Sequence, residues 1–292
     1  MFSGSIVALI TPFRNGEVDE DRLRGLVRFH IKNGTSAICP CGTTGESPTL
    51  SYDEHKRVIK IVIEEAKGKI PVIAGTGSNS TAEALDLTRD AKENGADASL
   101  LLCPYYNRPT QQGMYLHFKE IATKVNIPII IYNIPSRTGV NLEPDTLAKL
   151  VKECRNIVGI KESTGSMDQA SRIFELCGTK FCVLSGDDSL TLPLMSIGAR
   201  GVISVAANIV PGDIAEMTKR FLKADTAGAA RLHHKLFPLI KALFIETNPI
   251  PLKAAMAMLK MDTGELRLPL APMLEENHKK LRQALKNYGL LK

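Results

Sequence analysis

Two stretches, Pro128-Ile129-Ile130-Ile131-Tyr132-Asn133-Ile134 and Ile157-Val158-Gly159-Ile160-Lys161-Glu162, decide the architecture. Both are apolar and β-branched almost throughout, without the alternation of a half-exposed strand. Such runs mark strands buried on both faces, as in a parallel sheet. Similar runs occupy 5–11, 36–41, 70–76, 98–105, 181–186 and 201–207, which makes eight. Amphipathic stretches separate them and carry helix punctuation. Ser51-x-x-Glu54, Ser80-x-x-Glu83 and Ser166-x-x-Gln169 read as capping boxes. Asn33-Gly34, Asn94-Gly95 and Ile197-Gly198 supply left-handed stops before the next run. Strand, capped helix and glycine stop in repetition predict an α/β fold, a (β/α)8 TIM barrel. A doubly wound sheet would place a glycine-rich phosphate turn after its first strand, and Ile10-Thr11-Pro12-Phe13 is no such turn. After the eighth run the pattern becomes purely helical, at roughly 211–223, 226–245, 250–260 and 274–287. The expected division is a catalytic barrel over 1–223 and a C-terminal helical domain over 224–292 that packs on it.

The 292 residues are enough for one large barrel, and 44% hydrophobic with 23% charged residues is ordinary globular composition. Thr11-Pro12-Phe13 ends the first apolar run, which therefore reads as a strand and not as a secretion signal. No run approaches the ~18 apolar residues of a membrane span, so a cytoplasmic location is expected. The net charge of +6 is spread along the chain. Its densest basic stretch, Lys279-Lys280-Leu281-Arg282 with Lys286, reads as the solvated face of a helix and not as a nucleic-acid footprint. Six cysteines in so long a chain suggest reduced thiols, and Cys39-Pro40-Cys41 lacks a second pair at metal-ligand spacing.

In such a barrel the chemistry sits at the C-terminal ends of the strands. Those ends carry Thr43, Thr44, Thr76, Tyr105, Tyr106, Tyr132, Lys161 and Gly186-Asp187-Asp188. All six histidines fall in helical stretches, which leaves no parts for a metal-activated water or a Ser-His triad. Asp187 and Asp188 read as helix caps. Gly75-Thr76-Gly77-Ser78-Asn79-Ser80 reads as a turn with a capping serine, because Ser80 replaces the third glycine of a dinucleotide loop.

Lys161 is the informative residue. A lysine leaving an apolar strand either reaches out to water or is held in a poorly solvated pocket. In such a pocket more of an amine is neutral and able to attack a carbonyl. Tyr132, ending the adjacent strand, faces it and can pass protons to and from oxygen.

Gly42-Thr43-Thr44-Gly45-Glu46, Tyr105-Tyr106-Asn107-Arg108-Pro109, Tyr132 to Gly139 and Gly159-Ile160-Lys161-Glu162 resemble the dihydrodipicolinate synthase / N-acetylneuraminate lyase family of class I aldolases. The likeness runs to Arg267-Leu268-Pro269-Leu270 and is closest to the synthase branch. It implies condensation of pyruvate with aspartate semialdehyde on the route to lysine. Lys161 is then the Schiff-base nucleophile and Tyr132 the proton relay, with Thr43 linking it to a Tyr106 lent by a neighbouring subunit. Thr44, Gly186 and Ile203 line the pyruvate pocket, and Arg137 holds the semialdehyde carboxylate. The protonated imine is its own electron sink, so neither metal nor organic cofactor is implied. The resemblance also implies a homo-oligomer, a tetramer built as a dimer of dimers. It further implies an L-lysine effector site at Ser47, Pro48, Tyr52, His55, Asn79, Glu83 and Tyr105. There Pro48 and Tyr52 depart from the sensitive relatives, so inhibition should be weak to moderate. Glu83 has a competing local role in the Ser80 capping box. Other readings are a lyase of longer 2-keto sugar acids, against which Arg137 argues, and a non-catalytic keto-acid sensor, which has no need of Lys161.

Overall fold

The computed structural model describes residues 2–292. Among these, eight parallel strands form one sheet: β1 Gly4–Ala8, β2 Ala37–Cys39, β3 Ile73–Gly75, β4 Ala98–Leu102, β5 Ile129–Asn133, β6 Ile157–Glu162, β7 Cys182–Ser185 and β8 Gly201–Ser204. Their order around the sheet is β2-β1-β8-β7-β6-β5-β4-β3. The β2/β3 edge closes through the Ile38–Val72 bridge, with Ile38 N donating to Pro71 O at 2.9 Å and Gly75 N to Pro40 O at 3.0 Å. Gly75 is required at this seam, since a Cβ there would lie 2.3 Å from Cys41 O. All eight apolar runs are strands of a (β/α)8 barrel. A two-stranded hairpin, Phe13–Arg14 with Glu17–Val18, was not anticipated.

The barrel helices are α1 Glu20–Lys32, α2 Tyr52–Ala66, α3 Thr81–Glu93, α4 Gln111–Lys124, α5 Pro144–Glu153, α6 Met167–Cys177, α7 Thr191–Ser196 and α8 Pro211–Leu222. Three more follow: α9 Thr226–Leu243, α10 Ile250–Met258 and α11 Glu275–Tyr288. Ser51 and Glu54 form a complete capping box on α2. The other two boxes are half made. Ser80 and Ser166 accept from the backbone of Glu83 and Gln169, but both distal side chains are recruited elsewhere. Glu83 takes the Ser78 hydroxyl at 2.7 Å, and Gln169 pairs with Asn141. Gly34, Gly95 and Gly198 all have positive φ, as the stops require.

Continuous apolar strands follow from burial on both faces. Ile6, Ala8, Cys39, Ile73, Ile130, Leu184 and Ile203 fill the barrel interior. Val7, Ile38, Ala74 and Val202 face the helices instead. Leu236, Leu239 and Leu243 of α9, Leu252 and Met256 of α10, and Leu281 and Leu285 of α11 join that same outer cluster. The tail therefore shares the core of the barrel. No helix of the described residues is long and apolar enough to cross a membrane.

Candidate active site

Lys161 reaches the barrel interior through a break in strand phase. β5 alternates regularly, with Ile129 and Ile131 toward the helices and Ile130 and Tyr132 inside. On β6, Ile157 and Ile160 both face the helices although they are three apart. The β5/β6 register explains this: Ile129 pairs with Ile157 but Ile130 with Gly159, a bulge at Val158. Unbroken alternation would have turned Lys161 outward, because a one-residue slip exchanges the faces of a strand. Gly159 permits the irregularity, since a Cβ there would lie 2.6 Å from Cys182 O.

The result is a buried amine. Lys161 is 6% exposed, pairs in register with Tyr132, and places Nζ 4.0 Å from the centre of the Tyr132 ring. Beneath it, burial pushes the Cys39 thiol up to about 11, with Lys161 pulling the other way. Burial likewise raises Asp187 above the usual carboxylate range, opposed by Lys161 and Lys241. A cavity of about 200 Å3 opens over the lysine, lined by Thr43, Thr44, Tyr132, Arg137, Ser163, Gly186, Asp187 and Asn248 among others. Gly186 fits closely here: a Cβ would lie 1.7 Å from Ser163 Oγ and 3.0 Å from Lys161 Cε. The Ser163 hydroxyl is itself buried without a hydrogen-bond partner among the described residues.

Thr43 and Thr44 sit in the loop after β2. Thr44 Oγ1 accepts from Asn248 Nδ2 at 3.0 Å, and the Asn248 carbonyl accepts from Arg137 at 3.1 Å. Arg137 lies in a single helical turn, Pro135–Thr138, and is exposed at the cavity mouth. Asn248 escaped the sequence reading because it lies in the helical tail, far from any strand end. Ile203 is fully buried in the barrel interior, below the residues that line the cavity. Thr76 is fully buried, its hydroxyl bonded to Thr88 and Ser99.

The capping roles expected of Asp187 and Asp188 are not the ones seen. Neither side chain caps the turn Asp188–Leu190. Asp188, fully buried, instead accepts from Ser204 Oγ and from Val205 N at 2.9 Å, tying β7 to the end of β8. Asp187 lines the cavity.

Tyr106 is not brought to Thr43 within one chain. It is 89% exposed and has φ of 69°, a left-handed backbone that costs a non-glycine residue roughly 1–2 kcal/mol. Ser47, Pro48, Tyr52, His55, Glu83 and Tyr105 do come together, around a second cavity of about 350 Å3. Thr43, Tyr132, Ile134 and Arg137 line both cavities. Asn79 is not among its lining residues, and its carbonyl accepts from Asn107 at 2.9 Å. Hydrogen bonds from Ser78 and Tyr52 hold the Glu83 carboxyl below its usual range. Burial keeps His55 below its ordinary value, with Nε2 donating to Gly75 O at 2.7 Å.

An amine buried against a phenol at the mouth of a parallel barrel is placed to attack a carbonyl, with a proton donor beside it. Residues 1–288 match the Dihydrodipicolinate synthetase family. The chain belongs to that family. It is 56% identical over 291 residues to the 4-hydroxy-tetrahydrodipicolinate synthase of Geotalea uraniireducens, covering 100% of both chains. The crystal structure of dihydrodipicolinate synthase from Aquifex aeolicus superposes with a TM-score of 0.98, at 57% identity and 99% coverage of both chains. A synthase from Cyanidioschyzon merolae, solved with lysine bound, gives 0.96 at 42% identity, again with 99% coverage of both.

Proposed function

We propose that the chain carries out the reaction for which its relatives are named, condensing pyruvate with L-aspartate 4-semialdehyde to 4-hydroxy-tetrahydrodipicolinate. The observation that carries this reading is Lys161, buried in register with Tyr132 at a cavity of small-molecule size. Lys161 Nζ attacks the pyruvate ketone, and loss of water gives the imine. Removal of a methyl proton yields the enamine, whose carbon attacks the aldehyde. The amino group of the second substrate then displaces Lys161 from the imine carbon, closing the ring and freeing the enzyme. Tyr132 moves the protons of the first steps, with Thr43 beside it. Thr44 holds the pyruvate carboxylate, and Arg137 at the mouth selects the carboxylate of the semialdehyde.

The chain acts in the cytoplasm as a homo-oligomer, a dimer of dimers in which Tyr106 serves the neighbouring subunit. Its exposure and strained backbone support that role, because strain at an exposed aromatic needs a compensating contact. L-lysine occupies the larger cavity at a dimer face. Its ammonium pairs with Glu83, and inhibition is weak to moderate because Tyr52 and Pro48 alter the site.

A coupled assay with pyruvate and aspartate semialdehyde, run beside N-acetylneuraminate cleavage, tests the function. Turnover of the first pair alone supports it. Cleavage of the sugar acid with no condensation would assign the chain to the lyase branch.

A further inference from the structure

A fully buried ion pair ties the catalytic loop to the C-terminal tail. Glu46 ends the loop Gly42-Thr43-Thr44-Gly45-Glu46, and Lys253 lies on α10. Both side chains are wholly inaccessible, with Lys253 Nζ 2.5 Å from Glu46 Oε1. The remaining valences are filled from the tail and the barrel. Lys253 also donates to Glu265 O at 2.7 Å and sits 4.1 Å over the Phe13 ring. The second oxygen of Glu46 accepts from Arg267 N at 3.3 Å. Burial lowers Lys253 from the usual lysine value, and Glu46, Asp262 and Glu265 pull it back.

Stability alone is a poor reason for such a pair. Two charges removed from water lose several kcal/mol of hydration each, and well-packed neutral replacements are often as stable or more so. What the pair provides is a fixed geometry. Glu46 has φ of 52°, a strained backbone for glutamate, so the loop is held where it does not relax unaided. Thr11 Oγ1 donates to Gly45 O at 2.7 Å, and Asn248, from the same tail segment, holds Thr44. The loop is thus anchored at Thr44, Gly45 and Glu46, and the charged contact is the strongest of the three.

We infer that Lys253 is a positioning residue, which through Glu46 sets Thr43 and Thr44 over the Lys161 cavity for pyruvate. The inference rests on the reading of Thr44 as a pyruvate-binding residue. It makes the tail a part of the catalytic apparatus, although its helices contribute no reacting group.

The test compares Glu46→Gln/Lys253→Met, which removes both charges at similar volume, with Thr44→Val. Melting temperature, the KM for each substrate, and the rate of borohydride-trapped pyruvate adduct are measured for each. The paired variant is expected to melt within a few degrees of the parent. Its KM for pyruvate should rise about tenfold, as for loss of one polar substrate contact, with slower trapping and an unchanged KM for the semialdehyde. A paired variant with parental KM and trapping rate, beside a Thr44→Val that is impaired, overturns the positioning role alone. A Thr44→Val with parental pyruvate KM overturns the reading of the threonine, and the inference with it. If the paired variant does not fold, Glu46→Gln, which keeps an amide oxygen for Lys253 but leaves its charge unpaired and so melts lower, bears the same KM and trapping expectations and the same refutations.

Discussion

Gly186→Ala is the smallest change that presses on the proposed nucleophile. Gly186 is not in a left-handed conformation, so its backbone accepts alanine and the effect is steric. The added methyl would stand 1.7 Å from Ser163 Oγ and 3.0 Å from Lys161 Cε, with Ser163 Cβ at 3.1 Å. The serine hydroxyl can rotate away, but its Cβ and the lysine stem must give by several tenths of an ångström. Overpacking of this kind costs roughly 1–3 kcal/mol. Borne wholly by Lys161, it would slow imine formation by roughly 5- to 150-fold, at about 1.4 kcal/mol per tenfold. Because the strain is shared with Ser163, the lower half of that range is expected. The assay is the rate of borohydride-trapped pyruvate adduct, with thermal melting as a check on folding. Adding Ser163→Gly removes the closer contacts and should restore much of the rate. A folded Gly186→Ala enzyme that traps pyruvate at the parental rate would refute the steric reasoning. So would a double variant no faster than the single one.

Three other perturbations address separate parts of the site. Arg137→Ala should lower kcat/KM for the semialdehyde ten- to a hundredfold, since a charge-assisted hydrogen bond contributes roughly 1.5–3 kcal/mol. Pyruvate trapping should be nearly intact, and an equal loss of both would make Arg137 structural. Mixing inactive Tyr106→Phe with inactive Lys161→Ala subunits should restore partial activity through hybrid dimers. No recovery after confirmed subunit exchange would count against a shared site. Titration with L-lysine should give weak to moderate inhibition, with D-lysine inert. Inhibition as strong as in the most sensitive relatives would show that Tyr52 and Pro48 weaken nothing.

The barrel was legible because its determinants are local. Each apolar run records burial on two faces, and Ser51, Gly34 and Gly95 mark helix ends through backbone geometry that few other residues favour. Lys161 and Tyr132 were legible for the same reason, as polar residues closing apolar runs. What stayed hidden depends on contacts between distant parts of the chain. The bulge at Val158 leaves no composition signal, yet it determines which face Lys161 takes. Asn248 and Lys253 meet the Thr43–Glu46 loop across about two hundred positions, and no periodicity announces that. Glu83 and Gln169 fit the capping-box pattern, but tertiary partners outcompeted the local one. Asp188 has the sequence position of a cap, whereas Ser204 at the end of β8 and the Val205 N–H just beyond it satisfy its carboxylate at full burial.

The central claim is that Lys161 forms a covalent imine with pyruvate. Borohydride is added to the enzyme with pyruvate, and in parallel to the enzyme alone, followed by peptide mass mapping of both. The account predicts loss of activity only when pyruvate is present, with the reduced adduct on the peptide containing Lys161 and none in Lys161→Ala. An adduct on another lysine, or full activity after treatment with pyruvate and borohydride, would contradict it.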